Sequence, residues 1–107
     1  MVLLVATVLI PHAAASKIAK KYIEMLKKYP PRPEISETIA LGTRATKKGI
    51  IILSVMDVKK GKVEEAIIDI SGQYQEYVAS IEGLKWKLNT FMDMAEAYKA
   101  IGMEPPE

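Results

Sequence analysis

Between Gly49 and Val58 the chain reads Gly-Ile-Ile-Ile-Leu-Ser-Val-Met-Asp-Val, with no polar side chain until Ser54. A strand with one wet face alternates polar and apolar residues, so an unbroken run predicts a strand covered on both faces. Gly49 follows Lys47 and Lys48 and supplies the conformationally permissive residue of a hairpin turn from the segment before it. The remaining elements can be arranged around this strand.

Val2 to Ile10 is a second continuous apolar run, stopped by Pro11, which cannot extend a ladder. The small residues Ala13, Ala14, Ala15 and Ser16 after it give a superficial likeness to a signal peptide. No Lys or Arg precedes the run, however, and nine residues are too few to cross a bilayer as a helix. It reads as a buried strand of a soluble, cytoplasmic protein. A helix is expected from about Ala13 to Tyr29. Ala15, Ile18, Ala19, Tyr22, Ile23, Leu26 and Tyr29 recur at helical spacing, and Lys17, Lys20, Lys21, Lys27 and Lys28 lie on the other side. Pro30, Pro31 and Pro33 then impose an extended, polyproline-like connection.

Ile35 to Thr46 mixes polar and apolar residues as an edge strand does, with Ile35, Ile39 and Leu41 sharing a face with Glu37 and Thr43. A second helix is expected from Lys62, with Glu64 and Glu65 in its electropositive first turn. Its buried face runs through Val63, Ala66, Ile67, Ile70, Tyr74, Tyr77 or Val78, and Ile81. Gly72 interrupts it at a cost of about 1 kcal/mol relative to alanine. Leu84 to Phe91 alternates as another edge strand. Thr90 and Asp93 have capping-box spacing before a short helix ended by Gly102. Residues 104–107 read as a loose tail.

Length and composition bound the possibilities. The 107 residues suffice for one hydrophobic core, so a single domain over 1–107 is expected, and half of them are hydrophobic, which argues against disorder. The net charge of +2 offers no global attraction for nucleic acid. Without cysteine there can be no disulfide, thiolate metal site or cysteine nucleophile, and a lone histidine excludes a multi-histidine zinc site. No metal or cofactor is expected. The scarcity of amides (Asn89, Gln73 and Gln75 alone) matches thermophile composition.

The predicted order is strand, helix, strand, strand, helix, strand, then an extra helix: an α+β chain of the ferredoxin-like βαββαβ type with a four-stranded antiparallel sheet. In that fold the first and third strands are central, and here those two are the continuously apolar ones. Both long helices pack on one sheet face, so an apolar second face would be left bare and should be covered by something. The pattern of elements and strand polarity resembles the ferredoxin-like dimeric α+β barrels, in which two such sheets pack face to face. That resemblance implies a homodimer through the helix-free face. Proteins so described include small oxygenases, isomerases, stress-response proteins and ligand-binding regulatory domains, and none of their functional residues is matched here.

Few side chains carry chemistry. His12, after a central strand and at a helix start, could serve as a base, or be an ordinary exposed turn residue. Arg44 could hold an anion in a bidentate fork, or guard an edge strand against aggregation. Thr7 and Ser54 are lone hydroxyls in apolar strands and could give a ligand cavity its polar spot, or simply bond to backbone. Tyr22, Tyr74, Tyr77 and Trp86 could line a pocket between helices and sheet, or belong to the core. The turn around Gly61, with Asp57, Lys59, Lys60 and Lys62, lacks the phosphate-loop pattern.

Three kinds of function are compatible with these residues. The first is a homodimeric binding or regulatory module for a small apolar ligand or a protein partner. The second is a cofactor-independent enzyme using His12 or Arg44. The third is weak, nonspecific nucleic-acid binding through the basic first helix, which would rest on counterion release and fade with salt. No specific nucleic-acid or membrane partner is expected.

Overall fold

The computed structural model describes residues 2–106. Its elements are β1 (Val2–Ile10), a 3-10 turn (His12–Ala14), α1 (Ala15–Lys28), β2 (Ser36–Thr46), β3 (Gly49–Val58), α2 (Val63–Ser80), β4 (Lys85–Met92) and α3 (Met94–Ala100). The four strands form one antiparallel sheet in the order β2-β3-β1-β4. The two continuously apolar strands are thus central and the two mixed ones are the edges. No helix is long and apolar enough to cross a membrane among the described residues.

Burial along β1 alternates strictly: Leu4, Ala6, Val8 and Ile10 are buried, while Leu3, Val5, Thr7 and Leu9 are half-exposed. The buried set faces the helices and, through the register Leu4–Met56, Val8–Ile52 and Ile10–Ile50, defines the same face on β3. Around it two clusters form. One joins Leu4, Ala6, Met56 and Val58 to Ile35, Ala66 and Ile70, and the other joins Val8 and Ile10 to Met25, Tyr77, Ile81 and Leu84. Ile51, Leu53 and Val55 therefore point away from the helices.

Several local expectations are revised. A bulge between Thr38 and Ala40 resets the alternation of β2. Leu41 and Thr43 consequently share the helix side with Ser36 and Thr38, while Arg44 shares the opposite side with Glu37. The capping box of α3 is Asp93 with Glu96: Glu96 N donates to Asp93 Oδ1 at 2.7 Å and Asp93 N donates to Glu96 Oε1 at 3.1 Å. Thr90 remains in the ladder, opposite Leu4. In α1 the buried residue is Met25, with Ile18 and Tyr29 beside it, whereas Ile23, Leu26 and Tyr22 are exposed. The helix packs against α2 along one edge of a wide apolar stripe and leaves the other edge uncovered. The connection after α1 is extended at first and then turns over residues 33–35, so that Ile35 plugs the core. Residues 104–106 have no regular structure, and Glu107 lies outside the described residues.

The molecule is a slab 48 × 32 × 19 Å, one sheet and one helix layer thick. Its radius of gyration is 15.6 Å, against about 13 Å for a compact domain of this length. It exposes 7458 Å² at 11.9 kDa, where the usual scaling gives about 5,900 Å².

Two contacts fix the assembly of the slab. Lys47 and Lys48 keep negative φ, and Gly49 takes φ 152°. A side-chain carbon at Gly49 would lie 2.2 Å from the Ile10 carbonyl oxygen. Gly72 differs: it is exposed, and nothing lies within 4 Å of where its Cβ would be. At the other contact, Lys28 Nζ donates to Glu76 Oε1 at 2.5 Å and the Tyr29 hydroxyl donates to Glu76 Oε2. One carboxylate thereby clasps the end of α1 to α2.

Gly49→Val should therefore destabilise by more than the roughly 1–3 kcal/mol of ordinary overpacking, while Gly72→Ala should stabilise by about 1 kcal/mol. Denaturation midpoints moving together would contradict both placements. The clasp gives a pH prediction. Hydrogen bonds from Lys28 and then Tyr29 hold the Glu76 carboxyl below its ordinary value of 4.5. A depressed folded-state pKa contributes stability in full above that value and loses it as the pH falls through the folded-state pKa. Glu76→Gln should be less stable than the unmodified protein at pH 7, and urea titrations should show the gap closing below pH 4.5. A gap of constant size down to pH 2 would show that Glu76 acts through packing alone.

Candidate functional site

The uncovered edge of α1 and the overhanging edge strand β2 are two sides of one cleft. Its volume is about 970 Å³, at the upper end of the range for small-molecule sites. The floor is the helix side of β3 and β2, with Ile52, Ser54 and Met56 beside Thr38, Leu41 and Thr43. One wall is α1 through Ile18, Tyr22 and Leu26, and the back is α2 through Ile70, Gln73, Tyr74 and Tyr77. The proline-rich connection closes one end with Pro30, Pro31 and Pro33. The cleft exists because α1 leans on α2 instead of lying over β2, while the bulge at Thr38 and Ala40 turns Leu41 and Thr43 toward it.

The back wall is built on aromatic contacts. Tyr74 stacks on Trp86 with ring centroids 5.1 Å apart and an interplanar angle of 22°, and Tyr77 lies 5.7 Å from Tyr74. Offset aromatic contacts of this kind add to the stabilisation from burial. Burial raises the Tyr74 hydroxyl pKa, and burial together with Tyr74 and Tyr22 pushes that of Tyr77 up to about 12. Both phenols thus stay protonated at neutral pH and can each donate one hydrogen bond.

Charge is confined to the rim. Arg32, Glu37 and Asp69 line the mouth, and each is near a partner outside the floor: Arg32 Nε to Glu34 Oε1 at 3.2 Å, Lys59 Nζ to Glu37 Oε1 at 3.8 Å, and Gln73 Nε2 to Asp69 Oδ2 at 3.5 Å. The floor offers only hydroxyls and apolar surface. Among the described residues no three Asp, Glu, His or Cys side chains come together as a metal site would require.

The residues singled out from sequence are distributed as follows. Tyr22 and Ser54 line the cleft from opposite sides. Trp86 stands on β4 opposite Val8, behind Tyr74, so it supports the wall without lining it. Thr7 lies on the helix-free face, between Leu53 and Lys87. His12 is exposed in the 3-10 turn. Arg44 is exposed on β2 opposite Ile51, on the helix-free side. His12 and Arg44 therefore belong to neither wall of the cleft. Thr43 joined the site through the bulge, and Thr38 and Gln73 through the lean of α1; Gln73 is marked in sequence only by standing one helical turn before Tyr77.

A smaller hollow of about 450 Å³ lies between the β3–α2 connection and α3, bordered by Val2, Val58, Lys59, Lys60 and Lys99. It is shallow and bears no aromatic side chain.

No protein-family model matches the sequence, and no curated protein matches it either. Among solved structures, the fold is similar to that of a de novo designed protein, Foldit4, at a TM-score of 0.53 and 12% identity, over 86% of this chain and 96% of that one. At that identity the likeness concerns the fold alone.

Proposed function

We propose that the chain is a ligand-binding module of ferredoxin-like topology, acting as a homodimer, whose cleft between α1 and β2 holds a small, mainly apolar, uncharged molecule. The observation that carries the reading is the composition of the cleft: an apolar floor and walls with hydroxyls from Ser54, Tyr74 and Tyr77, and charge only at the mouth. An ionised ligand group inside would lose its hydration without gaining an opposite charge. A carbonyl or hydroxyl on an otherwise apolar body could instead accept from the tyrosines. Binding is favoured over catalysis because His12 and Arg44, the side chains best suited to proton or anion handling, are not placed at this cleft.

The dimer is supported by the other side of the sheet. Leu3, Val5, Leu9, Ile51, Leu53 and Val55 share the helix-free face, and α3 has its main contact with β4. Full burial of an exposed aliphatic side chain stabilises by about 1.5–3 kcal/mol, and these six half-exposed ones would each contribute a part of that against the association cost of about 4–15 kcal/mol. The βαββαβ element order and the antiparallel β2-β3-β1-β4 sheet support the ferredoxin-like assignment.

Ser54→Phe fills the floor of the cleft. It should weaken binding of the neutral dye Nile red at least tenfold while leaving the circular dichroism unchanged. Dye affinity that does not change would reject the cleft. For the dimer, Leu53→Asp should yield a folded, soluble monomer by light scattering, whereas Ile52→Asp, on the helix side, should fail to fold. A stable monomer from the unmodified protein would reject the pairing.

A further inference from the structure

The two edges of the sheet are finished differently. β4 carries Lys85 and Lys87 on its helix-free side and no acidic residue, and lysines of this kind guard an edge against a second copy. β2 is the longer edge, 11 residues without a proline, exposed over nearly its whole length. Among the described residues it pairs with β3 alone. Its charges are one acid and one base, Glu37 near one end and Arg44 near the other.

The bulge sets their placement. Seven positions apart in sequence, Glu37 and Arg44 would stand on opposite faces of a regular strand. The extra residue between Thr38 and Ala40 reverses the alternation. Glu37 then lies beside Asp57 and Arg44 beside Ile51, both on the helix-free side. Along β3, Asp57 and Ile51 are three places to either side of Ser54, the partner of Leu41. Leu41 is therefore the midpoint between the two charges.

We propose that β2 pairs antiparallel with β2 of a second copy about Leu41, setting Glu37 of each chain against Arg44 of the other and completing the open side of the cleft. A two-fold axis normal to the sheet at Leu41 inverts the strand direction and keeps each face on its own side. Residues equidistant from Leu41 then oppose one another on the same face. Glu37 meets the partner's arginine, and the contact occurs twice. Leu41, 60% exposed in the single chain, meets its own copy. Neighbouring registers leave the charges unmatched: an axis at Gly42 sets Glu37 against Thr46, and one at Ala40 sets it against Gly42. Joining β2 to the β4 edge of another chain would build an open ribbon, whereas the β2 pair closes. Both helix layers stay on one side, so the two clefts join over a floor of β3, β2, β2 and β3, with an α1 at either wall.

The helix-free faces remain free on the other side of the joined sheet, so this contact is separate from the face-to-face pairing proposed above. Its exposed ion pairs each contribute little, which makes it the weaker of the two and closes it at higher concentration. The shared cleft rests on the ligand reading above; the strand pairing does not.

Sedimentation equilibrium of the full chain, carried to about 1 mM where weak contacts populate, reads this step. Arg44→Glu or Glu37→Arg alone sets like charges opposite one another and should raise the dissociation constant of the step at least tenfold. The double variant Glu37→Arg with Arg44→Glu restores both pairs and should return it to within about threefold of the unmodified value. Within one chain the two side chains are about 20 Å apart. The contact of Lys59 with Glu37 at 3.8 Å is lost in the double variant as in Glu37→Arg, so pairing between chains alone accounts for a rescue. A double variant as weak as the single ones, single variants that associate like the unmodified protein, or no such step at all would overturn the strand pairing. An unmodified protein that passes from monomer to dimer through this step alone would uphold the edge and overturn the face-to-face dimer. A dimer that none of the three variants disturbs would do the reverse. Nile red should bind the strand-paired form at least threefold more tightly than the dilute chain, and equal affinity would overturn the shared cleft. Should a variant not fold, amide hydrogen exchange on the unmodified chain decides: β2 should gain protection with concentration while β4 does not, and unchanged β2 protection would overturn the pairing.

Discussion

Two helices of 14 and 18 residues cannot cover both faces of a four-stranded sheet. They follow parallel crossings on the same side, so one sheet face receives what they bury. The central strands nevertheless carry large aliphatic side chains on both faces. Everything else in the molecule follows from that mismatch between the apolar surface the strands offer and what the helices can bury. It leaves an uncovered sheet face and, because α1 leans on α2, an uncovered strip of helix beside β2.

The cleft is the second consequence. The Tyr29 and Lys28 clasp on Glu76 holds the end of α1 over α2. The stacked Tyr74 and Trp86 pair fixes the back wall. With β2 held by β3 alone, its helix side stays open and its hydroxyl residues line a recess. The recess has phenolic donors, charge at its mouth and one wall packed aromatic on aromatic, which is what the proposed binding of an apolar molecule draws on.

The hairpin between β2 and β3 ties the overhang to the rest of the sheet. Gly49 sits so close to the Ile10 carbonyl that a methyl group would collide with it. The Thr46 hydroxyl reinforces the turn, donating to the Gly49 carbonyl at 2.8 Å and accepting from Lys48 N at 3.2 Å. Precise seating here sets the register of β3 against β1, and with it the choice of Ile51, Leu53 and Val55 as the outward set.

Strand and helix order, the central position of β1 and β3, and the edge position of β2 and β4 were all legible in the residue pattern, because polarity along a strand records how many of its faces are covered. The presence of a second apolar sheet face was legible for the same reason. Which residues form that face was not, since Ile50 to Leu53 are apolar on both sides and only the pairing with β1 distinguishes them. The sharing of Leu41, Thr43 and Ser54 in one cleft was equally hidden. It depends on a bulge at Thr38 and Ala40 that leaves no mark in composition, and on a helix that chose α2 over β2 as its neighbour. Local sequence determines the period of each element, whereas register, bulges and the lean of a helix are settled by contacts between residues far apart in the chain.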